Sequence, residues 1–351
     1  MQSEDTVLTA PQLSDLIRNA SSAADLVPVA EHVQDLVVKS AANTTSVQVI
    51  GRMVADAHDS LLIKVATLVR ESLGDPPSRL SVLVLGSEGR REQFLATDQD
   101  NALLCAGSNI TPYCSGFGEK FSSLLTELGV PPCPHLVMLC NPSWQWPQAQ
   151  WDARLYELVH AADAEAILSL TLLADARCIW GDHSLFSQFQ DRLLWHIGDN
   201  PLILKYMARE ALRFPVPIGF FHNLVVEKNG PERGTLDLKK GGIFALTQGI
   251  KVLALEQGLR VTGTLDRLHG LNNCGVISET RARVLKHSYL TLQKIRLQGQ
   301  IASFLASGQP NNRIRPADLP KNISDQLKQA FEAIAAFQDS LSARFGLHLL
   351  P

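Results

Sequence analysis

The sequence lacks the features that mark membrane proteins, secreted proteins and zinc-finger proteins. No apolar stretch approaches the roughly 18 residues of a membrane span. The N-terminal residues MQSEDTVLTA contain early acids and no apolar signal-peptide core. The 6 cysteines include no C-x-x-C pair, so neither a disulfide scaffold nor a structural zinc site is expected. We therefore expect a soluble, cytoplasmic protein with reduced thiols and no membrane partner.

An excess of charge of one sign is also absent. The chain has 32 basic and 35 acidic residues, so no overall field attracts it to nucleic acid, and we expect no nucleic-acid partner. The motifs G-x-G-x-x-G, G-x-x-x-x-G-K-[ST], G-x-S-x-G and H-E-x-x-H do not occur. Their absence excludes the commonest dinucleotide-binding, P-loop, hydrolase and zinc-protease patterns.

Hydrophobic spacing predicts an α+β protein in three parts. Hydrophobic residues make up 45% of the 351 residues, which is ample for more than one core. Apolar residues recur at helical intervals in residues 1–77, which predicts an N-terminal helical segment. Residues 78–150 form a compact α/β unit in this interpretation, and residues 151–351 form a large all-helical domain with no strand.

Three apolar runs in the middle part predict strands of one mixed sheet. The first is Ser81–Leu85, in RLSVLVLG, and the second is Asn101–Ala106, in DNALLCA. The third is HLVMLC at residues 135–140. We expect the first two strands to be neighbours, with Gly86 at the end of the first.

The stretch GSEGRREQFLATDQDN joins the first two strands and carries the candidate chemistry. EGRREQFLA is predicted to be a short basic helix, so its N-terminus and the Gly86-Ser87 pair offer a site for a phosphate. Asp98 and Asp100 open the next strand, where residues i and i+2 face the same side. Two carboxylates presented together suit Mg²⁺, which combines them with substrate phosphates during phosphoryl transfer.

The same stretch, LGSEGRREQFLATDQDNALL, resembles the signature of nucleotidyltransferases related to the N-terminal part of protein-PII uridylyltransferase. These proteins belong to the DNA polymerase β-like nucleotidyltransferase superfamily, in which Gly-Ser precedes Asp-x-Asp. Three later blocks are also similar to that family: VMLCNPSWQWPQAQW, ADARCIWGD and DLKKGGIFALTQGIKVLALEQGL. The resemblance therefore covers most of the chain.

The resemblance implies a small mixed-sheet nucleotidyltransferase core with a large helical C-terminal domain. It implies Mg²⁺-dependent (or Mn²⁺-dependent) transfer of a uridylyl or adenylyl group from an NTP to an acceptor hydroxyl. A regulatory protein is the expected acceptor. Asp98 and Asp100 would be the catalytic, metal-binding residues. The residues expected to bind the nucleotide are Gly86, Ser87, Gly89, Arg90, Thr97, Lys239 and Lys240.

Alternatives remain at this stage. Active members of the superfamily usually add a third acid on a neighbouring strand, where this sequence offers Asn141. Asp175, in ADARC, is a second candidate, although a structural ion pair is the favoured interpretation of Asp175 and Arg177. A catalytically weak or inactive nucleotide-sensing module is therefore the main alternative. A purely helical interaction scaffold would leave the Gly-Ser and Asp-x-Asp combination unexplained.

Overall fold

The computed structural model describes residues 10–43, 45–107, 111–219 and 223–349, which form two compact units. The first unit contains the described residues up to Leu155 together with Asp175–Arg192. The second contains Tyr156–Ala174 and the described residues from Leu193 onward. The three-part division at residues 77 and 150 stays a prediction, because compactness does not show which segments fold alone. No helix in the described ranges is long and apolar enough to cross a membrane.

The first unit combines helices with a four-stranded sheet. Two of its helices, Trp151–Ala161 and His183–Asp199, continue into the second unit. Its elements are α1 (Ala10–Asn19), α2 (Ala23–Ala42), α3 (Val47–Leu73), β1 (Leu80–Val84), α4 (Gly86–Gly89), β2 (Asn101–Cys105), α5 (Thr111–Glu127), β3 (Gln145–Pro147), α6 (Trp151–Ala161), β4 (Arg177–Gly181) and α8 (His183–Asp199).

The N-terminal helices pack through apolar faces. In α2, Leu26, Val29 and Val33 are buried at the spacing of an amphipathic helix. Ser22 starts this helix, because its hydroxyl accepts from the Asp25 N–H while the Asp25 carboxylate accepts from the Ser22 N–H at 2.9 Å. This reciprocal cap satisfies two N–H groups that the helix itself cannot. Helix α3 then contacts α1, α2 and α5, and forms the main helical cover of the sheet core.

The sheet has the strand order β3-β2-β1-β4. β1 pairs antiparallel with both β2 and β4, and β2 pairs parallel with β3, so the sheet is mixed. Every residue of β1 and β2 is buried, as continuous apolar runs in interior strands require. The predicted neighbours Ser81–Leu85 and Asn101–Ala106 are therefore confirmed, with ends shifted by one residue or less.

The third predicted strand, at residues 135–140, is wrong. These residues form turns, and the edge position beside β2 belongs to β3. Val137 and Leu139 are nevertheless buried, and their backbones bond to Asn101 at the start of β2. The Asn101 N–H donates to the Val137 carbonyl at 3.0 Å, and the Leu139 N–H donates to the Asn101 Oδ1 at 2.8 Å. Burial, rather than strand pairing, explains why this segment is apolar.

The expectation of no strand after Trp151 is also wrong. β4 completes the sheet beside β1, with a bulge between Val82 and Leu83 in their pairing. β4 is an edge strand whose ends, Arg177 and Gly181, are not buried. Because β4 is short, partly exposed and directly follows an Ala/Leu-rich helix, its sequence has no continuous apolar run that would predict a strand. A second pair of strands, β5 (Leu236–Asp237) and β6 (Arg313–Ile314), lies in the second unit.

The second unit is otherwise helical, as expected for the C-terminal part. Its elements are α7 (Ala164–Leu173), α9 (Pro201–Glu210), β5 (Leu236–Asp237), a π-helical turn (Lys239–Ile243), α10 (Phe244–Glu256), α11 (Thr264–Asn273), α12 (Glu279–Ser307), β6 (Arg313–Ile314) and α13 (Lys321–Phe345). Helix α10 is the centre of this unit, because all its residues from Ala245 to Leu255 are buried. It contacts α9, α11 and α13.

Two buried cations lie at the end of α7 in the second unit. The Lys251 Nζ donates to the Thr171 carbonyl at 3.0 Å, and the Arg267 Nη2 donates to the Ala174 carbonyl at 2.6 Å. Carbonyls in the last turn of a helix have no partners within the helix and carry partial negative charge. These two side chains therefore satisfy the C-terminal end of α7 inside the core.

Candidate active site

The first strand leads into a one-turn helix that carries the Gly-Ser pair. Leu85 is extended, and α4 covers Gly86–Gly89. Gly86 has a φ of 54°, in the left-handed region where glycine has no steric cost. Ser87 is the one residue of this short helix that is not buried. Its position at a strand end and helix start is the one the sequence predicts for a phosphate contact.

The predicted helix EGRREQFLA is much shorter than expected. The helix ends at Gly89, and Arg91 has a φ of 59°, which a continuing right-handed helix cannot accommodate. The Glu92 N–H then donates to the Ser87 carbonyl at 2.8 Å, so the chain folds back as a tight turn. Arg90 and Arg91 therefore belong to a turn rather than to a helix face.

Gly89 allows two backbone segments to meet beneath this turn. A Cβ atom at position 89 would lie 2.0 Å from the Asp175 carbonyl oxygen and 2.9 Å from that of Val84. Neither backbone oxygen can yield as a flexible side chain would. Position 89 therefore requires glycine because of this close approach.

Arg90 forms ion pairs with two carboxylates. Its Nη1 lies 2.5 Å from the Asp175 Oδ2, and its Nε lies 2.7 Å from the Glu92 Oε2. The Asp175 side chain is fully buried and that of Arg90 is 10% exposed. Asp175 thus joins a structural ion pair, as favoured from the sequence, although its partner is Arg90. Breaking a buried ion pair of this kind is strongly destabilising.

Asp98 and Asp100 lie just before β2 rather than in it, and their carboxylates face the same region. Gln99 between them is buried, and its Nε2 donates to the Val130 carbonyl at 3.0 Å and the Ser122 carbonyl at 3.2 Å. Because Gln99 points inward, its two neighbours point outward, as the i, i+2 spacing predicts. The Leu85 N–H donates to the Asp100 carbonyl at 2.9 Å and so fixes the aspartates beside the Gly-Ser turn.

A third donor, Cys133, joins the two aspartates. One ligand atom from each of Asp98, Asp100 and Cys133 lies within 4.8 Å of the other two. Burial, followed by the negative charge of Asp100, raises the pKa of the Cys133 thiol to about 11. Among the described residues, no other group of three or more such donors lies this close together. Asp175 does not belong to the group.

Cys133 was missed at the sequence level because nothing in its spacing relates it to the aspartates. A parallel bridge between Gln99 and Pro132 places Cys133 beside Asp100. The short segment PPCP containing this cysteine has no secondary structure of its own that a pattern could indicate. Asn141, considered at the position of a third acid, instead donates to the Leu136 carbonyl at 2.9 Å and caps a short 3-10 turn.

Charged side chains of helix α3 contact the Gly-Ser turn and the arginines beside it. Asp59 accepts from Arg177 at 2.7 and 3.0 Å and pairs with Arg91 at 3.1 Å. Arg177 also donates to the Glu88 carbonyl at 3.2 Å. His58 lies 3.5 Å from the buried Glu88 carboxylate. The turn is thus fixed by α3 and β4 together.

The remaining predicted residues lie in different places. Thr97 is half-buried directly before Asp98 in the first unit. Lys239 and Lys240 are exposed in the second unit, at the start of the π-helical turn, where the Lys240 N–H donates to the Asp237 carboxylate at 3.0 Å. The structure therefore brings the Gly-Ser turn and the two aspartates together within one unit.

Two family models match separate parts of the chain. Residues 31–165 match the model described as "Putative nucleotidyltransferase DUF294". Residues 201–345 match the model described as "Putative nucleotidyltransferase substrate binding domain". The first match contains the Gly-Ser turn, both aspartates and Cys133, and the second contains the two lysines. No curated protein matches the chain.

Proposed function

Because the chain belongs to the nucleotidyltransferase family that these two models describe, we propose that it transfers an NMP group in a reaction dependent on Mg²⁺ or Mn²⁺. The donor would be an NTP and the acceptor a hydroxyl group. One observation carries this proposal: Asp98 and Asp100 present their carboxylates together, beside the Gly-Ser turn. The Leu85 N–H, directly before that turn, donates to the Asp100 carbonyl and holds the two parts together. Nucleotidyl transfer needs this pairing of a phosphate-binding turn with metal-binding carboxylates.

The donor atoms fit a shared divalent cation. Ligand atoms on opposite sides of an ion are separated by twice the metal–ligand distance, which is roughly 4.0–4.2 Å for Mg²⁺. The three donors lie within 4.8 Å of one another, so they are close to the spacing that a shared cation requires. Asp98 and Asp100 would hold the metal, and the bound metal would neutralise charge on the triphosphate.

The turn residues would hold the nucleotide. The Ser87 hydroxyl and the N–H groups of Gly86–Glu88 would donate to phosphate oxygens, and Thr97 would contribute a further hydroxyl. The Gly89 N–H donates to the Leu85 carbonyl at 2.9 Å, so Gly89 would act by keeping the turn compact. Arg90 would serve the nucleotide site by fixing the turn through its ion pairs with Asp175 and Glu92, since these two carboxylates already balance its charge. The acceptor oxygen would bond to the α-phosphorus as the bond to the β-phosphate oxygen breaks and pyrophosphate leaves.

We propose a protein side chain as the acceptor, with a uridylyl or adenylyl group transferred. Support comes from the resemblance to uridylyltransferases that modify a regulatory protein, and from the match of residues 201–345 to a substrate binding domain. Lys239 and Lys240 lie in that match and are exposed, so they would bind an anionic group of the substrate or acceptor. We also propose a cytoplasmic location.

A nucleotide-sensing module without turnover is the second candidate. Asp175, the alternative third acid, is bonded to Arg90, and the third donor beside the aspartates is a thiol. A site without a further carboxylate has less capacity to take the acceptor proton. This observation favours binding without transfer.

Labelled nucleotides distinguish the two candidates. The protein would be incubated with α-labelled UTP, ATP, GTP or CTP, with Mg²⁺ or Mn²⁺, and with lysate from its source. A labelled protein band and released pyrophosphate, both lost in Asp98→Asn/Asp100→Asn, are expected. Asp152→Asn is the matched control, because this exposed aspartate pairs with Arg192 away from the site. Tight nucleotide binding without pyrophosphate under every condition would leave the sensor.

A further inference from the structure

We propose that Cys133 is a third ligand of the metal that Asp98 and Asp100 bind, so that the site prefers thiophilic divalent ions to Mg²⁺. The inference rests on the proposed function, since it concerns the same cation. It adds a residue and a metal class that the Gly-Ser and Asp-x-Asp pattern does not contain. The chemical class of the ligand is a borderline or soft divalent cation, such as Zn²⁺ or Cd²⁺.

The position of the thiol is set by its backbone. The bridge between Gln99 and Pro132 aligns the segment of Cys133 with the aspartates, and the Cys133 N–H donates to the Met138 sulfur at 3.3 Å. The Cys133 carbonyl accepts from the Leu136 N–H at 3.0 Å. These three contacts hold the sulfur next to both carboxylates with 4% of the residue exposed. The sulfur therefore lies where the thiol and both carboxylates can contact one ion.

The donor set itself points to the metal class. Two carboxylate oxygens and one sulfur form a mixed set, whereas Mg²⁺ keeps to oxygen ligands and retains water. Sulfur ligation favours Zn²⁺ and Cd²⁺, and affinities at mixed sites rise from Mn²⁺ towards Zn²⁺. As the metal–sulfur bond forms, the S–H bond breaks and the proton passes to solvent, with no oxidation or reduction.

Cadmium ions alone provide a direct test, because a cadmium–sulfur bond produces an ultraviolet charge-transfer band. The full chain would be titrated with CdCl₂, and separately with MnCl₂ followed by electron paramagnetic resonance. The wild-type protein is expected to show the cadmium band at one equivalent and to bind Mn²⁺. Cys133→Ser is expected to lose the band and at least about tenfold in Cd²⁺ affinity, while keeping Mn²⁺ binding through the carboxylates.

Two cysteines that are not fully buried serve as matched controls. Cys140 is half-buried and Cys274 is exposed, so either could bind cadmium by itself. Cys140→Ser and Cys274→Ser are expected to retain the band. Asp100→Asn is a second probe that keeps the thiol, and it should weaken the band because the sulfur alone holds cadmium poorly. Thermal melting of each variant verifies that it is folded.

The outcomes separate this inference from the proposed function. Mn²⁺ binding without a cadmium band, or a band that survives Cys133→Ser, would overturn the third ligand and leave the nucleotidyltransferase proposal standing. Absence of both Mn²⁺ and Cd²⁺ binding to the wild-type protein would overturn the metal site as a whole. If Cys133→Ser does not fold, the Asp100→Asn variant still tests the inference. An undiminished cadmium band in that variant would show that Cys133 and Asp100 do not bind the same ion.

Discussion

Arg177, the first residue of β4, donates two hydrogen bonds to the carboxylate of Asp59 in the middle of α3, at 2.7 and 3.0 Å. The guanidinium and the carboxylate meet in the parallel two-bond arrangement that gives the strongest ion pairs. The same guanidinium donates to the Glu88 carbonyl in the Gly-Ser turn. One arginine thus joins a helix, a strand and the candidate phosphate site.

The first prediction concerns this arginine's partner. Asp59→Asn should lower the free energy of unfolding by about 1.5–3 kcal/mol, because charge-assisted hydrogen bonds from two arginines are lost. Urea denaturation measures the change. The control is Asp56→Asn, on the same helix with its side chain 71% exposed, which should change stability by less than about 1 kcal/mol. Equal effects of the two variants would contradict a special role for Asp59.

Gly89 gives a second prediction. Gly89→Ala should destabilise the protein by about 1–3 kcal/mol or more, because the new Cβ meets two backbone oxygens that cannot move aside. The turn must shift, so nucleotide affinity should fall as well. Gly116→Ala in α5 is the control, since a Cβ there meets nothing within 4 Å. That variant should be stabilised by about 0.5–1 kcal/mol. Thermal melting and nucleotide calorimetry measure both quantities.

The paired aspartates give a third prediction. Asp98→Asn/Asp100→Asn should abolish the Mg²⁺-dependent part of nucleotide binding. Its melting temperature should be unchanged or raised without metal, because two neighbouring carboxylates repel each other when no cation lies between them. Calorimetry with each NTP, with and without Mg²⁺, measures binding, and Asp152→Asn is the control. Undiminished magnesium dependence in the double variant would place the cation elsewhere.

Asp182 gives a prediction about pH. Hydrogen bonds from the Ser184 hydroxyl and from the backbone N–H of Leu185 lower the pKa of this carboxyl group, which caps the start of α8. A lowered folded-state pKa stabilises the fold above the unfolded-state pKa, and this contribution is lost as the pH falls through the folded-state pKa.

Asp182→Ala should therefore cost about 1 kcal/mol at neutral pH, the usual value of a helix cap. The difference from wild type should shrink as the solution becomes acidic enough to protonate Asp182. Unfolding curves collected across the acidic range provide the measurement. A cost that stays constant at every pH would show that the ionised carboxylate is not what stabilises this helix start.

Local patterns predicted that the Gly-Ser turn and the two aspartates lie together, because these parts are close in sequence. Strands β1 and β2 are interior and fully buried, so their apolar runs are continuous, and the i, i+2 spacing of Asp98 and Asp100 determines their common side. Cys133 and Arg177 reach the same region through long-range packing, which no local pattern records. β4 was missed for a related reason, since an edge strand needs only part of its surface to be apolar.

The place of β4 in the chain has a consequence for biosynthesis. Its partner β1 leaves the ribosome early, whereas β4 follows the segment Tyr156–Ala174, which belongs to the second unit. Until Gly181 has emerged, one edge of β1 has no strand beside it, and open apolar edges promote aggregation. A fragment that stops at residue 165, the end of the first family match, would keep both aspartates but leave this edge permanently open.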